Sequence, residues 1–198
     1  MDSLFLFEEF ARPANDISPR SIRLRAKVKT QNALGVKKIG GVVGELPTAG
    51  ESIHIVSNGC FDYFSLVPWV LNTMQASGAD LWFSTWTMNF ANVARLFECF
   101  DAGQLKTISA LTGLYFATRE KAVYAELCEG LAKRGQRIYA NKNHSKVTLI
   151  RHGESHFVIE GSANFTANPR IENFVLSNSK PLFDFHRDWL EELLARAK

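Results

Sequence analysis

The run Leu81 to Trp86 (LWFSTW) constrains this chain most. It reads as one continuous apolar stretch, too short for a buried helix and without the alternation of a half-wet strand. Such a stretch is a strand covered on both faces. It demands a sheet with helices on either side, and the neighbouring segments supply them. Asn89 to Phe100 sets Val93, Leu96, Phe97 and Phe100 at helical spacing and stops at Gly103. Glu120 to Arg134 repeats Val123, Leu127 and Leu131; Lys133 and Arg134 complement its C-terminal dipole, and Gly135 caps it. Phe61 to Ala76 is a further predicted helix, ended by Gly78, with Pro68 tolerable only if the helix proper begins near Ser65. Pro181 to Ala197 closes the chain with Trp189, Leu190, Leu193 and Leu194 inward. Ser52 to Ser57 and Lys106 to Leu111 are predicted strands, and Arg137 to Ala140 leads into the segment that follows. This order specifies an α/β fold with a central sheet covered by helices.

Residues 1 to 50 are organised differently. Ile22, Leu24, Ala26 and Val28 alternate with Arg23, Arg25, Lys27 and Lys29, which is strand periodicity with one wholly basic face. That face suits a solvated edge whose charges discourage aggregation, or a ribbon that contacts phosphates. Glycines 35, 40, 41, 44 and 50 then break the chain into turns. The predicted organisation is a basic, glycine-rich N-terminal arm (1–50) packed on a catalytic domain (51–198).

Composition narrows the function classes. A hydrophobic content of 46% in 198 residues supports a sizeable core. A net charge of +3 is compatible with a polyanionic substrate without arguing for one. Cys60, Cys99 and Cys128 are widely spaced and form no C-x-x-C, so they read as buried thiols of a reducing compartment. No apolar stretch is long enough to span a membrane. The start, Met1 to Glu9, is acidic where a signal peptide is basic. A cytoplasmic protein without membrane contact is expected. No metal-ligand set and no cofactor motif is visible.

The chemistry concentrates between Asn143 and Asn164, NHSKVTLIRHGESHFVIEGSAN. His144 and Lys146 are two apart, followed by an apolar strand (Val147 to Ile150), a polar turn (Arg151 to His156) and a second strand (Phe157 to Ile159) ending at Gly161-Ser162-Ala163-Asn164. Positions i and i+2 of a strand share a face, so His144 and Lys146 can act on one ligand, and the turn can return Ser162 and Asn164 beside them. An ammonium binds phosphate as a point charge, and an imidazole serves as nucleophile or base. The set suits attack on a phosphodiester. Other residues have plainer readings. His152 and His156 are solvated, and His54 is a satisfied core histidine. His186 is structural. Trp82, Phe83, Trp86 and Phe90 are core rather than base-stacking. Ser84, Thr85 and Thr87, at a strand end, are secondary site candidates.

This segment resembles the H-x-K…G-S-x-N motif of the phospholipase D superfamily. His144, Lys146, Gly161, Ser162 and Asn164 match it residue by residue, and the likeness runs on through Phe165-Thr166 to Ile171-Glu172-Asn173-Phe174-Val175-Leu176. The resemblance implies an α/β fold with a central mixed β-sheet flanked by helices on both faces. It implies that His144 is a nucleophile forming a phosphohistidine, and that Lys146 binds phosphate with Gly161. Ser162 and Asn164 would orient the histidine, and Glu172 would match an acidic residue that supports it. No metal or cofactor is needed. With one motif per chain, a homodimer is expected to bring two copies of His144 to one cleft. The nuclease branch is nearest, which makes nucleic acid the expected substrate, with Arg23, Arg25, Lys27 and Lys29 as candidate phosphate contacts. A phospholipid phosphodiesterase and a catalytically silent binding module are the alternatives. One position departs from the pattern: Arg151 stands where the family has aspartate, and 14 residues, three more than the pattern, separate Lys146 from Gly161. Glu154, in the turn, is the candidate substitute.

Overall fold

The computed structural model describes residues 27–32, 39–57, 61–166 and 170–196. In chain order these are β1 (Lys27–Asn32), α1 (Ile39–Val43), β2 (Glu51–Ser57), α2 (Leu66–Thr73), β3 (Ala79–Thr85), α3 (Phe90–Asp101) and β4 (Leu105–Gly113). Then come α4 (Leu114–Arg119), α5 (Lys121–Lys133), β5 (Arg137–Asn141), β6 (Val147–His152), β7 (Ser155–Gly161), β8 (Glu172–Asn178) and α6 (Lys180–Leu194). Among the described residues the strands form one sheet in the order β1-β2-β8-β7-β6-β3-β4-β5. It is mixed. β1–β2, β3–β4 and β4–β5 are parallel, whereas β2–β8, β8–β7, β7–β6 and β6–β3 are antiparallel.

Helices cover both faces, as the buried run at Leu81 requires. Leu81 and Phe83 point into a large core with Ile53, Ile55, Val93, Leu96, Leu127 and Ile159. Trp82 points the other way, onto Phe183, Trp189 and Leu190 of α6, together with Leu111, Leu149 and Val158. Local sequence sets the helix starts. Asn89 caps α3 by accepting from Asn92 N, and Ser179 caps α6 by accepting from Leu182 N, with Pro181 in the first turn. The stretch predicted as one helix from Phe61 divides instead. Asp62 caps a 3₁₀ turn (Tyr63–Ser65), and the α-helix starts at Leu66. Pro68 thereby falls in the first turn, where its missing N–H costs nothing.

Other expectations are corrected as well. The polar stretch Arg151 to His156 is not a turn: Arg151 pairs with His156 and His152 with Ser155, so only Gly153 and Glu154 form the bend, with Gly153 at φ 56°. His54 is exposed, because Ile53, Ile55 and Ser57 of β2 face inward while His54 and Val56 point to the other, more open face. Phe90 is exposed and Trp86 half-buried, since β3 ends at Thr85 and both follow it. Cys128 is half-buried whereas Cys99 is buried; Cys60 lies outside the described residues. The basic strand was expected over Ile22 to Lys29. The described strand, β1, begins at Lys27 and continues to Asn32, while Arg23 and Arg25 lie outside the described residues.

Candidate active site

The motif residues gather at one end of the β6–β7 hairpin. His144 and Lys146 lie not in a strand but in the extended segment that enters β6. Gly161 closes β7, and its N–H donates to Lys146 O at 3.4 Å, which ties the two segments together. Glycine is needed there: a Cβ would lie 2.7 Å from the Phe174 ring and 2.8 Å from Asn173 O. With that side chain absent, β8 packs close and places Glu172 and Asn173 against Ser162. Ser162 donates to Glu172 and accepts from Asn173 N at 3.1 Å, while Ser162 N donates to Asn173 O at 3.1 Å.

The Lys146 ammonium donates to His144 O at 2.6 Å and sits 3.1 Å and 3.3 Å from His144 Nδ1 and Nε2. An ammonium has three donors and no acceptor. One is held by the carbonyl and one faces the ring, so a third is left to meet an anion. Lys146 is buried at 8% exposure, and His144 is exposed. Burial pulls the Lys146 pKa down, against the Glu172 carboxylate, which raises it. Burial and then the Lys146 charge pull His144 below its usual value, so its ring is neutral at pH 7 and keeps a nucleophilic lone pair. Asn164 has a buried carboxamide oxygen with no hydrogen-bond partner.

A polar network that the sequence flagged only faintly supports this end. Ser84, at the end of β3, shares a 2.6 Å hydrogen bond with Ser145 Oγ and accepts from Asn143 Nδ2 at 2.9 Å. Asn143 Oδ1 in turn accepts from Ser145 N and Oγ. The residues on either side of His144 are thus fixed to β3. Thr85 Oγ1 donates to Thr87 O and accepts from Phe165 N, and Asn92 Nδ2 donates to Phe165 O and to Asp62. Those bonds anchor the chain just beyond Asn164. Ser84 and Thr85 therefore position rather than contact. Asn143, Ser145 and Asn92 went unread, because a polar residue beside a strand carries no signal of which partner it meets.

The remaining candidates lie elsewhere. Arg151 faces Asp80 across the β6–β3 pairing and binds it at 2.7 Å and 3.1 Å, with its guanidinium over Trp82. Glu154 is at the hairpin bend, roughly 20 Å of strand from Lys146, and substitutes for nothing at the site. His186 is structural. Trp189 Nε1 donates to its Nδ1 at 3.0 Å, so its proton is on Nε2, 3.1 Å from Glu160. Among the described residues no three His, Cys, Asp or Glu side chains converge as a ligand set, and no helix is long and apolar enough to cross a membrane.

No protein-family model and no curated protein matches the sequence. Solved structures do match. Polyphosphate kinase from Porphyromonas gingivalis is similar over 74% of this chain at 17% identity and a TM-score of 0.54, this chain spanning only 26% of it. NucT from Helicobacter pylori is similar over 74% of this chain and 98% of its own, at 12% identity and a TM-score of 0.50. The phospholipase D family member NUC from Salmonella typhimurium is similar over 67% of this chain and 88% of its own, at 18% identity and a TM-score of 0.49. Likeness at such identity concerns the fold alone: the chain shares the α/β fold of the polyphosphate kinase and NucT structures.

Proposed function

We propose that the protein is a metal-independent phosphodiesterase, an endonuclease that cleaves DNA or RNA through a phosphohistidine at His144. One observation carries the reading: a neutral imidazole, a buried ammonium and the Ser162–Glu172 pair stand together at one end of a single hairpin. An unprotonated ring nitrogen of His144 attacks phosphorus, and the bond to the leaving oxygen breaks. Lys146 neutralises a phosphate oxygen, and Gly161, tied to Lys146 O, is the substrate-binding backbone beside it. Glu172, through Ser162, holds the Gly161-Ser162 segment and keeps Lys146 charged. The orphan acceptor of Asn164 suits a group that orients an imidazole N–H. One chain supplies one such histidine, so the proton for the leaving oxygen comes from His144 of a second copy across a two-fold axis. Water then cleaves the phosphorus–nitrogen bond as the roles reverse. Lys27 and Lys29, on the edge strand β1, are candidate contacts for distant phosphates, with Arg23 and Arg25.

Incubation with labelled single- and double-stranded DNA and RNA in excess chelator tests this. Cleavage is expected without divalent ions, and a strict Mg²⁺ or Mn²⁺ requirement contradicts it. Mixing His144→Ala chains with wild type tests the shared site. Activity should fall faster than the wild-type fraction, and a linear curve after verified subunit exchange argues against a common cleft.

A further inference from the structure

Beside His144 the surface is aromatic, and nothing in the phosphoryl chemistry uses it. The Trp86 ring lies 5.3 Å from the His144 ring and stacks on Tyr115 at 4.3 Å with an interplanar angle of 25°. Tyr115 is 41% exposed, and its neighbour Leu114 is 43% exposed. Large apolar side chains seldom stay in water at the mouth of a polar site without a partner.

The stack is built in. Gly113 ends β4 between Trp86 and the H-x-K segment, where a Cβ would lie 2.5 Å from Trp86 Cδ1 and 3.1 Å from Asn143 O. Only glycine lets these three segments meet. Asn143 Nδ2 also donates to Thr85 O at 3.3 Å, so the residue before Trp86 and the residue before His144 are joined. The platform and the imidazole are therefore held in fixed relation.

We propose that Tyr115, backed by Trp86, seats an unpaired nucleobase of the substrate close to the scissile phosphate. The inference rests on the phosphodiesterase reading and names its substrate class: single-stranded nucleic acid, or the unpaired part of a longer one. An aromatic ring binds any base through its π-face, and a base stacked within a duplex cannot offer that face. Trp86 stacks on one face of Tyr115 and the phenol remains 41% exposed, so the order is imidazole, indole, phenol, base. The phosphate reaches His144 while the base of a nearby nucleotide rests on the outer ring.

The test compares strands with and without bases. Fluorescence anisotropy is measured in the His144→Ala chain, so that turnover does not enter, with oligothymidylate, oligouridylate and an abasic strand of equal length. Adding Tyr115→Ala should weaken the strands that carry bases roughly 5- to 150-fold and leave the abasic strand nearly unchanged; Tyr115→Phe should keep the affinity. A loss on one sugar type or on both supports the platform and names the nucleic acid. Equal losses with and without bases, or no loss, overturn it. So does a Tyr115→Ala change in oligomeric state by light scattering, which would make the stack a contact between copies. Tyr115-dependent binding to phosphatidylglycerol vesicles overturns it too. Cleavage of the abasic strand by wild-type protein reads the phosphodiesterase separately, because that strand has no base to seat.

Discussion

The two ends of the β6–β7 hairpin have opposite characters. At the open end a buried lysine meets a histidine ring, a glycine is required by close packing, and a serine donates to a glutamate. At the closed end Arg151, His152, Gly153 and Glu154 are partly or wholly in water, and Arg151 pairs with Asp80 in direct cross-strand register. The H-x-K and G-S-x-N residues lie at the first end, and Arg151, which stands in place of an aspartate, lies toward the second. Arg151 exchanges the sign of a charge whose partner is also on the sheet. A change at the closed end is thereby separated by the length of the strands from the residues gathered at the open end.

Four experiments would sharpen or break this contrast. The largest effect belongs to the open end: His144→Ala should lower phosphodiester cleavage by on the order of 10³-fold or more, with circular dichroism unchanged. Lys146→Ala should cost about 10²- to 10³-fold. Wild-type rates in either would remove the chemical role of that end. Next is packing. Gly161→Ala drives a Cβ into Phe174 and the Asn173 carbonyl, so it should destabilise by about 1–3 kcal/mol and lower the melting temperature by several degrees. An unshifted melting curve would show that the close approach is not needed.

The third concerns protonation. Burial and Lys146 hold the His144 pKa below 6.5. The charged ring is thus disfavoured, and the acid limb of its titration, followed by NMR, should fall below pH 6.5. Lys146→Met removes the charge and should move the midpoint upward; a wild-type midpoint at or above 6.5 would contradict the electrostatics. The smallest effect is at the closed end. Arg151→Ala should change stability by at most about 1 kcal/mol and leave turnover alone. Arg151→Asp should do worse, because it sets two carboxylates opposite each other, and adding Asp80→Arg should restore the loss. A fall in turnover with Arg151→Ala would end the distinction between the two ends.

Much of this was legible from residues. The run at Leu81, the helical repeats of α3 and α5 and the H-x-K and G-S-x-N blocks led directly to a sheet between helices with the motif on a hairpin. Three misreadings have physical causes. Arg151 to His156 reads as loop because its residues are polar, yet backbone pairing is indifferent to side-chain polarity where the strands emerge from cover. Glu172 to Leu176 reads as motif because its first two residues are polar, yet it is a strand with Phe174 and Leu176 alternating inward. Trp86 looks like the tail of a buried run, because hydrophobicity cannot report where pairing stops. The network through Ser84, Asn143 and Ser145 joins residues far apart in the chain, and no local pattern announces it.

The strand order has a further consequence, for synthesis. β2 and β3 flank a gap of three strands, β8, β7 and β6, which come from the last third of the chain. Until Val147 to Asn178 has left the ribosome, β2 and β3 cannot join one sheet, and their central edges have no partner. The segment that bridges the gap carries Gly161, Ser162 and Glu172 and begins directly after Lys146. Completion of the sheet and assembly of the reactive cluster are one event, so an unfinished chain cannot carry an assembled cluster.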